Sequence, residues 1–261
     1  MPFRPRYLVN SNHAELWPAW LLRARRNADA RALATAGWVV RDRDGAYLAT
    51  IDSKGKIHLL PPLHPSRDAD GWRVLARDAD APHAPVVALP MHGLERRLLE
   101  LGLDADDYAR RSGLEQVPEP SRLSFAGFDR YRRPLWLGDA ASRAWNRMRV
   151  AAADDGVVLD AISGYRSHAY QMGIFARKRA RGLSVDEILA VNAAPGFSEH
   201  HSGNALDIGT NGEPPAEESF ERTTAFRWLS DHAGDFGFRL SYPRDNPHGI
   251  VYEPWHWCWH G

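Results

Sequence analysis

Ser198-Glu199-His200-His201-Ser202-Gly203-Asn204-Ala205-Leu206-Asp207 sets an imidazole and a carboxylate seven positions apart, with a glycine between them that can turn the chain. A turn after His200 followed by a strand through Asp207 brings both side chains to one point. Imidazole and carboxylate together suit zinc, at about 2.0–2.2 Å from each donor atom. A His–Asp pair also makes ordinary hydrogen bonds, and His201 competes with His200 for the ligand role. A second stretch, Tyr252-Glu253-Pro254-Trp255-His256-Trp257-Cys258, carries a Glu three residues ahead of a His, among aromatics. With His256 as a third ligand, one position stays open for water, as catalytic zinc requires. Glu253 is then placed to take that water's proton. Without a metal, the same residues read as a surface Glu and a core His in a Trp-rich terminal strand. Positions three apart on a regular strand face opposite ways, so the chain must twist or bulge around Pro254.

A third stretch is Ser163-Gly164-Tyr165-Arg166-Ser167, with Gln171 on the helix that follows. An Arg in a loop after a buried strand can reach into a cleft, where guanidinium binds carboxylates and stabilises developing oxyanions. Its plainer roles are to cap a helix or to pair with Asp160.

These stretches need elements to hold them. Val157 to Ile162 reads as a buried strand, His168 to Ala180 as a helix with a basic outer face, and Ala205 to Ile208 as a short strand. Asp139 to Ala153 has helical spacing with a stop at Gly156. Ser184 caps a helix to Val191, with Glu187 placed for a capping box. Thr223 to Ala233 is a helix, and Phe238 to Tyr242 and Ile250 to Trp257 are the last strands. Ahead of these, Trp17 to Ala36 reads as helical, stopping at Gly37. Trp38-Val39-Val40 begins a strand that turns at Asp44-Gly45. Tyr47 to Ile51, Lys56 to Leu60 and Trp72 to Ala76 look like further strands, and Leu94 to Leu101 and Ala105 to Arg111 like helices. Gln116 to Ser121 has linker composition. The expected organisation is a small α+β domain over 1–120 and a second domain over 121–261. His13, His58, His64, His83 and His92 are scattered and read as surface or turn residues.

The 261 residues carry 33 Lys plus Arg against 33 Asp plus Glu, a formal net charge of zero. That balance argues against a broad grip on nucleic acid or an anionic membrane. Hydrophobic residues at 44% and charged residues at 25% are ordinary globular values. One cysteine excludes an internal disulfide and a multi-thiolate metal site. No apolar run follows the first arginines and none approaches about 20 residues, so a cytoplasmic location is the default expectation.

Taken together, the three stretches resemble the zinc D-alanyl-D-alanine peptidases of the VanY type, metallopeptidase family M15. The pattern Ser-x-His-x-x-Gly-x-x-x-Asp reads here as Ser198, His200, Gly203 and Asp207, and Glu-x-x-His as Glu253 and His256. Ser163 to Ser167 fits upstream. So does the run from Trp228-Leu229 through His232-Ala233 and Phe236-Gly237-Phe238 to Ser241-Tyr242-Pro243. The resemblance covers about Phe125 to Gly261. It implies an α+β fold of the Hedgehog/D,D-peptidase type, a central antiparallel sheet flanked by helices. One zinc would sit on its face, held by His200, Asp207 and His256. Glu253 would activate the attacking water and protonate the leaving amine, and Arg166 would hold the scissile carbonyl oxygen or the substrate carboxylate. Ser198 and Gln171 would bind the terminal residue, with Ser163, Tyr165 and Trp255 completing the substrate set. The implied substrate is a peptidoglycan-derived peptide that loses a terminal D-amino acid. An L,D-carboxypeptidase, an endopeptidase and a zinc-containing binding domain stay open, although pure binding needs neither Glu253 nor Arg166. Arg244 to Gly249 departs from the Lys- and Gly-containing loop of the family, which leaves substrate preference open. His232 and His248 read as structural and Cys258 as buried.

Overall fold

The computed structural model describes residues 5–24, 27–60, 72, 75 and 85–261. They form two compact units, Met1–Leu89 with Pro120–Phe125, and Pro90–Glu119 with Ala126–Gly261.

The first unit is a meander of β1 (Tyr7–Asn10), β2 (Ala14–Pro18), β3 (Ala36–Asp42), β4 (Tyr47–Asp52) and β5 (Ile57–Leu59), each antiparallel to the next. The start of β6 (Arg122–Phe128) pairs with the free side of β1, Tyr7 opposite Ser124. The turn after β3 forms where Asp-Gly predicts it, with Gly45 at φ 87° and the Asp42 carboxylate accepting from the Asp44 and Ala46 N–H groups. The helix expected over Trp17 to Ala36 shrinks to α1 (Asn27–Thr35). Trp17 and Pro18 instead end β2, opposite Val39 and Trp38. Leu16 and Pro18 are buried in the sheet there, while Trp20, beyond the strand, is exposed. Of the strand expected over Trp72 to Ala76, the described residues are Trp72 and Leu75, which are helical and buried. His13 and His92 are exposed, His58 pairs with Asp52 at 3.1 Å, and His64 and His83 lie outside the described residues.

The second unit holds α2 (Leu94–Glu100), α3 (Ala105–Ser112), β7 (Pro134–Leu137), α4 (Asp139–Asp154), β8 (Asp160–Ser163), α5 (His168–Arg179) and α6 (Val185–Leu189). After these come β9 (Ala205–Gly209), α7 (Thr224–His232), β10 (Phe238–Leu240) and β11 (His256–Trp259). Its four-stranded antiparallel sheet runs β10-β11-β9-β8. Alternation along the strands sorts the side chains. Leu206, Ile208 and Trp257 join Trp145 and Met148 of α4 and Leu229 of α7 in one buried cluster. Asp207 and His256, at the intervening positions, turn the other way and sit directly opposite each other across β9 and β11.

The sequence placed α2 and α3 with the N-terminal part, and the structure corrects this. Their Leu94, Leu98 and Tyr108 pack with Phe175, Ile188, Phe197 and Tyr242 in a second cluster of the same unit. An amphipathic helix joins whichever partner covers its apolar stripe, and local pattern does not name that partner. Gln116 to Ser121 is no free linker either. The Val117 N–H donates to the Gly196 carbonyl at 2.7 Å, and Glu119 is buried. Among the described residues no helix is long and apolar enough to cross a membrane.

Leu98→Ala should therefore destabilise the second unit by about 2–5 kcal/mol. A fragment starting at residue 121 should melt well below one starting at residue 90, as thermal denaturation of the two would show.

Candidate metal centre and active site

The site is built where a short turn meets the sheet. Glu199–Ser202 forms one 3₁₀ turn, and Gly203, at φ 74°, reverses the chain into β9. This is the turn-then-strand path the spacing implied, and it delivers His200 to Asp207. His200 Nδ1 lies 2.7 Å from the Gly164 carbonyl, which fixes it as the N–H donor and leaves Nε2 with the free lone pair. Nε2 is 3.2 Å from Asp207 Oδ1. Gly164 can be nothing larger, because a Cβ there would stand 2.9 Å from the Trp136 carbonyl oxygen.

His256 arrives from β11. Glu253 is not on that strand. The His256 N–H donates to the Glu253 carbonyl at 3.0 Å, closing a turn through Pro254 and Trp255. The expected strand from Ile250 is thus irregular up to Trp255, and a β-turn, not a bulge, puts Glu253 and His256 on one side. His256 Nδ1 lies 3.2 Å from Asp207 Oδ1 and 3.8 Å from Glu253 Oε2. Its Nε2 lies 2.8 Å from Glu199 Oε2. Glu199 was not foreseen. A carboxylate that orients a donor histidine from behind is common around metals, and its place beside His200 was the available signal.

His200, Asp207 and His256 are all buried, and their donor atoms lie within 4.8 Å of one another. Donors on a tetrahedral ion at about 2.0–2.1 Å stand roughly 3.3 Å apart, so two spacings of 3.2 Å fit zinc. The lone pairs already face a cation, since Arg166 Nη2 is 2.5 Å from both His200 Nε2 and Asp207 Oδ2. Arg166 thus pairs with Asp207 rather than Asp160. His201 is no competitor: Nδ1 donates to the Arg166 carbonyl at 2.6 Å and Nε2 accepts from the Gly196 N–H at 3.0 Å.

Electrostatics follow from this crowding. Burial and the Arg166 charge hold His200 down at about 4. Burial opposes a charge on His256, yet hydrogen bonds to Asp207 and Glu199 raise it to about 10. Only the Nδ1 proton must leave for that nitrogen to become a donor, because Nε2–H stays on Glu199. Burial pushes the Glu253 carboxyl up to about 7. Asp207 stays well below the usual carboxylate range because His200 and Arg166 outweigh its burial.

A cavity of about 300 Å³ opens over this centre. Arg166, Gln171, Ser198, Glu253 and Trp255 line it with the three donors. Gln171 donates its amide to the Ala193 carbonyl, and its buried Oε1 has no partner among the described residues. Ser163 and Tyr165 are not part of the lining. Ser163 Oγ accepts from Arg166 Nε at 3.2 Å, and the Tyr165 hydroxyl donates to Glu119. Both brace the loop that aims Arg166. His248 bonds the Ser112 carbonyl at 2.8 Å, the His232 ring lies 4.9 Å from that of Trp228 at a tilt of 42°, and Cys258 is buried.

A family model described as VanY, D-alanyl-D-alanine carboxypeptidase, matches residues 135–261. This segment is VanY-type. The chain is similar to a putative carboxypeptidase, YodJ, of Bacillus subtilis, at 35% identity over 146 residues, 53% of each chain. It also resembles a D-alanyl-D-alanine carboxypeptidase of Enterococcus faecium, 32% identical over 118 residues, 44% of this chain and 37% of that one. The chain spans about half or less of the length of these two relatives. Among solved structures, a vancomycin-resistance D,D-pentapeptidase VanY variant in complex with Zn(II) is 30% identical over 49% of this chain and 74% of that one, with a TM-score of 0.41. The VanY match leaves out α2 and α3, although they pack into the same unit.

His201→Ala should destabilise the protein without touching the donor set. It strands a buried backbone N–H and a carbonyl, at about 1–3 kcal/mol each, measurable by urea denaturation in chelator.

Proposed function

We propose that this protein is a zinc-dependent carboxypeptidase that removes the terminal D-amino acid from peptidoglycan stem peptides of the D-Ala-D-Ala kind. One observation carries the reading: a His–Asp–His donor set and a carboxylate, Glu253, face one cavity with Glu253 3.8 Å from the nearest donor nitrogen. The VanY-type match over residues 135–261 supports the substrate class.

His200 Nε2, Asp207 Oδ1 and His256 Nδ1 would hold a single zinc ion. When bound, zinc supplies a Lewis acid that polarises the scissile carbonyl and makes water a stronger acid. Glu253 accepts the proton of the attacking water on Oε2 and passes it to the amide nitrogen as the C–N bond breaks. Its raised pKa suits both halves of that transfer. Arg166 donates toward the oxygen on which charge develops, and Ser163 on Nε keeps its guanidinium aimed. Gln171 Oε1 is an unused acceptor for a substrate N–H. Trp255 forms an apolar wall beside the scissile bond, and Ser198 offers a hydroxyl.

Mass spectrometry of products from pentapeptide and tetrapeptide stems would test the reading. Loss of one D-alanine from the pentapeptide, abolished by chelator and restored by zinc, is expected. Glu253→Gln should bind zinc and lose about 10²–10⁴-fold in kcat. Full activity in that variant would overturn the mechanism. Glu199→Ala should weaken zinc binding about 10–100-fold, read by competition with a chromogenic chelator, because His256 loses the partner that orients its ring.

A further inference from the structure

Lys178 is a cation of the cavity that the protein leaves unneutralised. Arg166 has a carboxylate beside it, Asp207 on Nη2, and His256 stands between Asp207 and Glu199. No carboxylate of the described residues lies within 4.0 Å of the Lys178 ammonium, although Lys178 lines the same cavity. It stands on the last turn of α5, seven residues after Gln171, so two helical turns or about 10 Å of rise separate them along one face. Phe175, fully buried between the two, pins that face of the helix against the second cluster.

The ammonium is partly withdrawn from water, which lowers its pKa, while the charge on Glu253 raises it and that on Arg166 lowers it. Lys178 therefore feels both groups that flank the scissile bond. A half-buried ammonium on a cavity wall, with no carboxylate within 4.0 Å among the described residues, is free to pair with an anion that enters the cavity. In a peptide, the α-carboxylate of the last residue is two bonds from the amide nitrogen that Glu253 protonates. Lys178, Gln171 and Glu253 line one cavity, so a terminal residue whose amide nitrogen faces Glu253 holds its carboxylate in the space that Lys178 borders. We propose that Lys178 binds the free α-carboxylate of the substrate's terminal residue and so makes the site an exopeptidase.

The inference rests on the carboxypeptidase reading and deepens it. It accounts for the charge inventory of the cavity, with Arg166 for the developing oxyanion and Lys178 for the permanent anion. An internal peptide bond brings no α-carboxylate to Lys178 and gains no ion pair there.

The test compares a stem pentapeptide ending in free D-Ala-D-Ala with the same peptide ending in a carboxamide. The wild-type enzyme should favour the acid by about tenfold or more in kcat/KM, the order expected of one partly buried ion pair. Lys178→Ala should erase that preference, with the loss carried by KM for the acid, and Lys178→Arg should restore most of it. Calorimetric binding of the two peptides to Glu253→Gln protein, with and without Lys178→Ala, gives the same comparison without turnover. Absence of turnover on either peptide in the wild type would sink the peptidase reading, and binding alone would then decide the role of Lys178. An unchanged acid-to-amide ratio in Lys178→Ala would overturn the inference. So would an equal loss on both peptides, which would mean a structural role or a contact with a carboxylate further up the stem.

Discussion

Asp207 is a carboxylate buried in the sheet, and isolated charge in a protein interior costs several kcal/mol unless nearby groups offset it. Three elements converge to do so. The 3₁₀ turn brings His200, β11 brings His256, and the loop after β8 brings Arg166. Remove the carboxylate and Arg166 and the charged His256 ring are left with no anion between them, while the neutral His200 keeps only its lone pair beside Arg166. Fold and chemistry thus share a single requirement, that positive charge be gathered around one buried oxygen pair.

The sheet meets this requirement by alternation. β9 places Leu206 and Ile208 in the core and leaves Asp207 to the cleft, while β11 does the same with Trp257 and His256. The register of β9 on β11 then sets the spacing of the donors. Gly164 lets the β8 loop pass close to β7 and offers its carbonyl to His200. The second cluster holds α5, and with it Gln171, at the cavity wall.

Much of the site was legible because its residues form short local patterns. His200, Gly203 and Asp207 lie within one turn and strand, and Glu253 and His256 within one β-turn. Glycines and caps marked most element ends, among them Gly156, Ser184 and Thr223. What escaped depended on distant partners. Trp17 joined a strand because Val39 pairs with it, not because of its neighbours in sequence. α2 and α3 belong with Phe175 and Phe197, some 70 to 100 residues onward by number. Tyr165 fitted the motif yet bonds Glu119, a carboxylate that composition had assigned to a linker. Lys178 looked like one charge of a solvated helix face, and only the cavity distinguishes it from Arg177 and Arg179.

Glu199 and His200 are neighbours on one tight turn, yet they serve different parts of the centre. Glu199 holds the far nitrogen of His256, while His200 stands with its own free nitrogen beside Asp207. The His256 ring is thereby gripped at both nitrogens, and rotating it would break both contacts. Its conformational entropy is surrendered when the chain folds, not when an ion arrives. Preorganisation of this kind makes the turn a clamp, so that the rigidity of four residues decides how tightly an ion some distance from their backbone is kept.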